Sequence, residues 1–237
     1  MQRSSFPIPP KSLIVSCQAP VDSPLHHPLI ISAMAETAIR QGAVGVRIDT
    51  PAHIQAVRER ISAPIIGLWK QSLPNYEIYI TPRFEAAVAL AEAGADMIAI
   101  DATLRSRPSG ESVAEIIDKI HQQLGSMVMA DVDSLEAALK AVEAGADCVA
   151  TTLYGYTLPT QNQSPPGFEL LQEMVKQIDV PVICEGGIAT PEMAKLAIEF
   201  GAHAVVVGTA ITGIDRLVQA YQTAVNTPLR PPLARGD

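Results

Sequence analysis

The sequence is poor in aromatic residues and has no excess of positive charge. Only 4% of its 237 residues are aromatic, whereas 48% are hydrophobic. The core must therefore be built mainly from Ala, Val, Ile and Leu, which typically fill parallel strands covered by helices. The formal net charge of −8 argues against a nucleic-acid surface, which needs clustered Lys and Arg. A small anion is not excluded, because a few local donors can hold one phosphate.

Long apolar runs are also missing from the chain. None approaches the roughly 20 residues needed to cross a bilayer, and the N-terminal MQRSSFPIPPKS lacks the apolar core of a signal peptide. The three cysteines, Cys17, Cys148 and Cys184, are widely spaced within apolar runs, which favours buried, reduced thiols. We therefore expect no membrane contact and a cytoplasmic location.

The chain repeats itself about every fifty residues. The segments FEAAVALAEAGADMIAID, LEAALKAVEAGADCVATT and PEMAKLAIEFGAHAVVVG, together with the looser MAETAIRQGAVGVRID, share one pattern. Each copy predicts an amphipathic helix, a glycine stop and a short β-rich run. The glycines, Gly42, Gly94, Gly145 and Gly201, stand just past the helices, where glycine commonly supplies a left-handed conformation.

Four further strand-like runs, LIVSC, PIIGLW, MVMAD and PVICE, lie between these copies. Interleaving the two sets predicts eight strands near 13–17, 44–48, 65–69, 97–101, 127–131, 148–152, 181–185 and 204–208. The helices are predicted near 28–41, 51–60, 83–93, 112–124, 134–144, 167–178, 191–200 and 214–225. Strands that alternate with helices indicate right-handed crossovers and a parallel sheet.

Eight such units can form either a closed barrel or an open sheet. An open doubly wound sheet is the alternative, but no GxGxxG follows the first strand, and the regular repeat favours closure. We therefore predict an α/β fold in which residues 1–237 form a single-domain (β/α)8 TIM barrel. The proline-rich tail 227–237 is expected to be mobile, and the polar segment 154–167 is expected to be a lid or substrate wall.

Barrel enzymes carry their chemistry where strands end and the following loops begin. Charged groups at such positions need partners or a ligand, because burying them alone is costly. The candidates at these strand ends are Gln18, Arg47, Asp49, Lys70, Asp101, Asp131, Thr151, Thr152 and Glu185.

Lys70 and Glu185 are the candidates for proton transfer. A partly desolvated lysine has a lowered pKa and can accept a proton, and Glu185 can act as a second acid or base or bind a sugar hydroxyl. Structural ion pairs among Lys70, Glu185, Arg47 and neighbouring carboxylates are the alternative. Asp131 is expected to orient Lys70 or hold substrate hydroxyls. Asp101 is expected either to do the same or to hold a loop in place.

Glycines after the last two strands predict a phosphate site. Gly186 and Gly187 follow strand 7, and Gly208 and Thr209 follow strand 8 ahead of a helix, where backbone N–H groups can approach an anion closely. Barrels often bind phosphate between these loops. No metal site is expected, because the histidines are scattered. His53 and His121 fall on predicted helices and are expected to be solvated.

The motifs of the chain resemble those of the N-acetylmannosamine-6-phosphate 2-epimerase family. GLWK, IDAT followed by RP-G, MAD and TTL-GYT carry the resemblance, which runs from about Ser12 to Tyr221. It implies the reversible conversion of N-acetylmannosamine 6-phosphate into N-acetylglucosamine 6-phosphate in sialic acid catabolism, without metal or organic cofactor. It also implies a catalytic lysine and carboxylate at Lys70 and Glu185. The implied substrate contacts are Gln18, Arg47 and Asp131; Thr152 and Asp101 are predicted to join them.

The chemistry of the implied substrate predicts an enolate mechanism, and the chain departs from the family pattern at two positions. The sugar ring opens, the C2 proton is removed and a proton returns on the other face, by one base or two. Family members carry arginine where this chain has Gly187 and Gly213, so side-chain contributions to phosphate binding should be weaker. Two other functions stay open as alternatives: another phosphosugar isomerase or aldolase, and a non-catalytic sugar-phosphate sensor. The sequence also leaves open whether the chain forms a homodimer.

Overall fold

A computed structural model describes residues 6–227, except for the side chain of Ser109. Eight parallel strands form a closed barrel in which each strand pairs with the next and the last pairs with the first. The strands are β1 (Ser12–Cys17), β2 (Gly45–Asp49), β3 (Ile65–Leu68), β4 (Met97–Asp101), β5 (Met127–Asp131), β6 (Cys148–Ala150), β7 (Val182–Glu185) and β8 (Ala204–Val207).

The helices alternate with the strands as the sequence predicts. They are α1 (Pro28–Arg40), α2 (Pro51–Arg58), α3 (Phe84–Glu92), α4 (Val113–Lys119), α5 (Leu135–Glu143), α6 (Phe168–Gln177), α7 (Pro191–Glu199), α8 (Thr209–Thr212) and α9 (Ile214–Asn226). The (β/α)8 prediction is confirmed. The short α8 was not predicted, and the tail expected to be mobile lies outside the described residues from position 228 onward. No helix within residues 6–227 is both long and apolar enough to span a bilayer.

The four repeated glycines end their helices in the way the repeat predicts. Gly42, Gly94, Gly145 and Gly201 have φ between +99° and +101°, a conformation that other residues adopt only with strain. Each of them turns the chain from a helix into the following strand. The repeat in the sequence is therefore a repeat of one helix–turn–strand unit.

The strands divide the apolar residues into two layers. Inward side chains such as Ile14, Met97 and Met129 fill the barrel, and outward ones such as Val46 and Ile98 pack under the helices. Burying an aliphatic side chain of this kind contributes about 1.5–3 kcal/mol. Because side chains alternate along a strand, inward positions at the carboxyl ends of the strands form the mouth of the barrel.

The connection between β3 and α3 folds back onto the barrel. Lys70 and Ile80 form an antiparallel bridge, and the Ile80 carbonyl accepts a hydrogen bond from the N–H of Asp101 at 3.0 Å. β3 and β4 accordingly pair over only two residue pairs. The returning segment thus separates these strands beside Lys70, a feature that the sequence did not reveal.

The cysteine prediction is confirmed, but the prediction of a solvated histidine is wrong for His53. The three cysteines are free and buried. His53 is only 4% exposed; its Nδ1 lies 3.1 Å from the Asp49 carbonyl oxygen, and its ring packs edge-on against His26. His121 contacts the Asp147 carboxylate at 2.8 Å. Both rings contact residues outside their own helices. The helical pattern of the sequence does not show which residues a histidine on a helix will contact.

Candidate active site

Four side chains, three of them from buried residues, form a hydrogen-bonded cluster in the barrel mouth. Arg47 makes a forked contact with Asp131, with nitrogen–oxygen distances of 3.1 and 2.6 Å, and also pairs with Glu185. The Thr152 hydroxyl lies 2.7 Å from the same Asp131 carboxylate and 3.2 Å from that of Glu185. We call these four residues, from β2, β5, the end of β6 and β7, the buried cluster.

The charges of the buried cluster do not balance. Two carboxylates share one guanidinium, and all three side chains are at most 11% exposed. Burial disfavours the charged Arg47, but the charges of Asp131 and Glu185 outweigh that cost and raise its pKa. Burial, aided by the neighbouring Asp131 charge, raises the pKa of Glu185 to about 7. Glu185 is therefore the member of the cluster that can carry a proton near neutral pH.

Thr151 fixes the backbone of Glu185. Its hydroxyl donates to the Glu185 carbonyl oxygen at 2.9 Å and accepts from the Glu185 N–H at 3.1 Å. Thr151 is fully buried. Its two hydrogen bonds join the end of β6 to the end of β7. The two neighbouring threonines therefore contact different parts of Glu185: Thr151 binds its main chain, and Thr152 contacts its carboxylate.

Lys70 stands on the more open side of the mouth. Its Nζ donates to Gln18 Oε1 at 2.5 Å and lies 3.9 Å from an Asp49 carboxylate oxygen. The Gln18 amide in turn donates to the Ser16 hydroxyl at 2.8 Å. Another Asp49 oxygen accepts the Lys70 N–H at 3.0 Å. We call Lys70, Gln18 and Asp49 the open group, because 46% of the Lys70 side chain is exposed.

The position of Lys70 favours its neutral form relative to a free lysine. Partial removal from water lowers its pKa, the Asp49 charge opposes this, and the nearby Arg47 charge lowers the pKa further. Lys70 and Glu185 are therefore both shifted toward neutrality. A pair of groups whose surroundings favour a neutral amine and a neutral carboxylic acid is suited to moving protons.

Asp101 belongs to a separate network. One carboxylate oxygen accepts from the Thr103 N–H and hydroxyl at 3.1 and 2.7 Å, and the other accepts from Arg105 at 2.7 Å. Arg107 donates to the Asp101 carbonyl oxygen. Asp101 has no exposed surface, and these contacts stabilise the loop that follows β4.

The glycine turn after β7 lies directly beneath the loop that follows β6. A Cβ atom at Gly187 would come within 2.5 Å of the Pro165 Cβ, and a Cβ at Gly186 would lie 3.6 Å from the Tyr156 ring. The loop is held by Thr157, whose hydroxyl donates to Asp133 at 2.6 Å. A side chain at position 187 is therefore excluded by this loop, which accounts for the glycine found where an arginine was expected from the resemblance.

The turn after β8 is equally close-packed. A Cβ at Gly213 would lie 2.8 Å from the Thr209 Cα. Gly208 precedes α8, whose first N–H groups have no acceptor within the helix, and the Thr212 hydroxyl donates to the Ser16 carbonyl at 2.8 Å. The predicted phosphate residues thus occupy two adjacent turns at the mouth, as parallel neighbouring strands require.

Sequence reasoning missed one aromatic residue of the mouth. Tyr79, on the returning segment before α3, packs against the barrel-filling cluster. Burial and the charges of Asp131 and Asp101 raise the pKa of its hydroxyl. No local signal identifies it, because the loop is positioned by contacts with β3 and β4. Among residues 6–227, no cluster of three or more His, Cys, Asp or Glu side chains is arranged to hold a metal ion.

Comparison with known proteins identifies related sequences. A sequence model of the family described as "Putative N-acetylmannosamine-6-phosphate epimerase" matches residues 31–227. Relatives described as "Putative N-acetylmannosamine-6-phosphate 2-epimerase" include one from Synechococcus elongatus, 60% identical over 90% of this chain and 93% of the relative. Another, from Thermosynechococcus vestitus, is 61% identical over 92% and 95%.

A solved structure is also similar over nearly the whole chain. The N-acetylmannosamine-6-phosphate 2-epimerase from Clostridium perfringens superposes with a TM-score of 0.88 at 41% identity, over 92% of this chain and 94% of that one. The likeness therefore extends well beyond a single motif. The chain therefore belongs to the N-acetylmannosamine-6-phosphate 2-epimerase family.

Proposed function

We propose that this protein interconverts N-acetylmannosamine 6-phosphate and N-acetylglucosamine 6-phosphate by inverting C2, as an enzyme of sialic acid catabolism that needs no cofactor. The observation that carries the proposal is that the same barrel mouth holds Lys70, whose pKa is lowered, and the buried Glu185, whose pKa is raised. Family membership supplies the substrate class. The rest of the proposal follows from the acidity of the substrate.

The C2 proton is removable only after the sugar ring opens. In the closed ring C2 carries no adjacent carbonyl, whereas the open chain exposes a C1 aldehyde that makes the C2–H bond acidic. In the proposal, neutral Lys70 takes the C2 proton, and the electron pair moves onto the C1 oxygen as an enolate. A proton then returns to C2 on the opposite face, and the ring closes.

Glu185 is proposed as the proton donor for the sugar oxygens. Protonated near pH 7, it can deliver a proton to the ring oxygen as the ring opens, or to the opposite face of C2 in a two-base mechanism. The nitrogen atoms Nη1 and Nη2 of Arg47 already contact Asp131 and Glu185, which favours a positioning role for Arg47. Gln18, next to Lys70, is the better-placed donor to the enolate oxygen.

The phosphate group is proposed to bind at the two glycine turns. Gly186, Gly187, Gly208 and Thr209 present main chain with little side-chain bulk, so N–H groups can reach an anion. Because position 187 lies beneath the Pro165 loop, this binding would depend on the backbone rather than on an arginine there. Thr152 and Asp131 are proposed to contact sugar hydroxyls, and Asp101 to support the adjoining loop.

The reaction can be followed at the reacting carbon. Proton NMR of N-acetylmannosamine 6-phosphate in D2O should show formation of the C2 epimer together with deuterium at C2. Isomerisation to a ketose, or aldol cleavage, would instead favour another phosphosugar enzyme. Binding of the phosphosugar without any change at C2 would favour a sensor and contradict the proposal.

A further inference from the structure

Two histidine rings join the segments that follow Gln18 and Asp49. The ring of His26, in the loop after β1, packs edge-on against the ring of His53 on α2, with 4.6 Å between the ring centroids. His53 is buried, and His26 is partly buried. We call these two residues the histidine pair. It lies between two chain segments whose first residues, Gln18 and Asp49, both contact Lys70.

Each ring of the histidine pair holds a main-chain carbonyl group, either at a residue of the open group or next to one. His26 Nδ1 lies 3.1 Å from the Ala19 carbonyl oxygen, one residue after Gln18. His53 Nδ1 lies 3.1 Å from the carbonyl oxygen of Asp49 itself. Because a carbonyl oxygen can only accept a hydrogen bond, both rings must donate from Nδ1, whether they are neutral or charged.

The neighbouring His27 has the opposite hydrogen-bonding role. Its Nδ1 accepts the Leu29 N–H at 3.2 Å at the start of α1, so this atom carries no proton. His27 is also exposed, whereas the rings of the histidine pair are packed against each other. Donation to the main chain beside the open group is therefore a property of the histidine pair, and His27 provides a matched control.

The main chain at the start of α2 is in a conformation that needs support. Thr50 has a φ of +74°, which a β-branched residue adopts only with strain. This rotation sets the direction of the peptide group between Asp49 and Thr50, whose oxygen the His53 ring binds. The Asp49 carboxylate meanwhile accepts the Lys70 N–H at 3.0 Å. Loss of the His53 donor would let the strained peptide group turn and draw the carboxylate away from Lys70.

We propose that the histidine pair positions Lys70 for proton transfer by fixing the main chain that carries its two partners. Gln18 accepts from Lys70 Nζ, and Asp49 accepts from its main-chain N–H. Both restraints depend on main chain that a histidine ring binds, and the contact between the rings couples them. His26 and His53 act through these partners and are positioning residues. The inference rests on the proposed function, in which Lys70 removes the C2 proton.

Steady-state epimerisation by variants of the full chain tests the donor at position 53. His53→Leu keeps apolar bulk but removes the donor. We expect kcat to fall about 10-fold with KM nearly unchanged, since a displacement of about 1 Å can cost roughly 10²-fold. His53→Asn supplies an N–H at the place of Nδ1, because both nitrogens are bonded to Cγ, and should recover most of kcat. Normal kcat in His53→Leu, or an equal loss in His53→Asn, would overturn the proposal.

The same comparison at position 26 tests the other ring and does not depend on the folding of the position-53 variants. His26→Leu should lower kcat several-fold, and His26→Asn should restore it. His27→Asn keeps an acceptor for the N–H at the start of α1 and should leave kcat unchanged. Normal kcat in His26→Leu, or an equal loss in His27→Asn, would overturn the role of the pair. The double variant His26→Leu/His53→Leu should lose less than the product of the single losses; a fully multiplicative loss would contradict the coupling.

The pKa of Lys70 can be measured without turnover, by competitive acetylation with acetic anhydride across pH and mass spectrometry. Burial lowers this pKa, the charge of Asp49 raises it, and the other charges that act on it are those of Arg47, Glu185 and Asp131. His53→Leu should lower the pKa further as Asp49 withdraws, and His53→Asn should not. An unchanged pKa in His53→Leu would overturn the positioning role. If the wild type did not invert C2, the proposed function would fail, while this measurement would still decide whether the histidine pair positions Lys70.

Discussion

The two sides of the barrel mouth differ in how firmly their charges are held. The buried cluster holds the two terminal nitrogens of Arg47 with two carboxylates and a hydroxyl, away from water. The open group holds Lys70 by one close contact and leaves 46% of its side chain exposed. The difference suggests that the buried cluster is part of the stability of the barrel, whereas the open group can be altered at the expense of activity alone.

Replacing Lys70 should separate activity from stability most clearly. We expect Lys70→Met to lower kcat/KM for epimerisation by about 10⁴-fold, equivalent to about 5.5 kcal/mol, because the proposed base is lost. Its free energy of unfolding should change by less than about 0.5 kcal/mol, as for an exposed position. Urea unfolding and C2 deuterium exchange measure the two quantities, and near-normal exchange would remove Lys70 from the mechanism.

Replacing the cation of the buried cluster by methionine should instead lower stability strongly. Arg47→Met leaves Asp131 and Glu185 buried without a cation, and breaking such a pair typically costs about 3–5 kcal/mol of stability. Urea unfolding beside Lys70→Met makes a matched comparison of two cation-to-methionine changes. Equal stabilities for the two variants would end the distinction between the two sides.

Glu185→Gln should keep the shape of the buried cluster while removing its proton. We expect kcat/KM to fall about 10²-fold. In the wild type, kcat/KM should also fall at alkaline pH as Glu185 loses its proton, and this alkaline fall should be absent from the variant. A variant with an unchanged pH profile would show that the protonation of Glu185 does not limit the reaction.

The same variant tests the linkage between protonation and stability. Because the folded-state pKa of Glu185 is raised to about 7 from an ordinary 4.5, the folded protein binds this proton more tightly than the unfolded chain does. The stability gained from it is complete below pH 4.5 and is lost as the pH rises through about 7. Urea unfolding at pH 5 and pH 8 should therefore show that the free energy of unfolding falls more between these pH values for wild type than for Glu185→Gln.

Thr152→Val should have the smallest of these effects. The hydroxyl that lies 2.7 Å from Asp131 would be replaced by a methyl group of similar size, so we expect a loss of about 1.5 kcal/mol in unfolding free energy. Thermal and urea unfolding measure it. No loss would indicate that the Arg47 fork alone holds the Asp131 carboxylate.

The sequence predicted the repeating parts of the molecule better than the parts made by long-range contact. The four glycines from Gly42 to Gly201 identified the ends of α1, α3, α5 and α7, and strand-end positions pointed to Lys70 and Glu185 as candidates. The pairing of Arg47 with Glu185 joins residues 138 positions apart, and a local pattern carries no information about it. The returning loop before α3 depends likewise on hydrogen bonds to distant strands.

The last helix shows a second limit of sequence patterns. α9 has the same amphipathic pattern as the helices that pack on the barrel, and the sequence predicted its position correctly. The pattern shows that one face is apolar but does not say what covers it. Only its exposure in the folded chain distinguishes α9 from α1 to α7.

The close approach of Pro165 to Gly187 couples the loops after β6 and β7 sterically, so we expect the two loops to vary together among related chains. With 2.5 Å between the Pro165 Cβ and a would-be side chain at position 187, neither loop can gain bulk alone. Among homologous chains, an arginine at the position of Gly187 should accompany a shorter or differently folded loop at the position of Pro165. Aligned sequences would then separate into two lineages that bind the anion differently, one by side chains and the other by main chain.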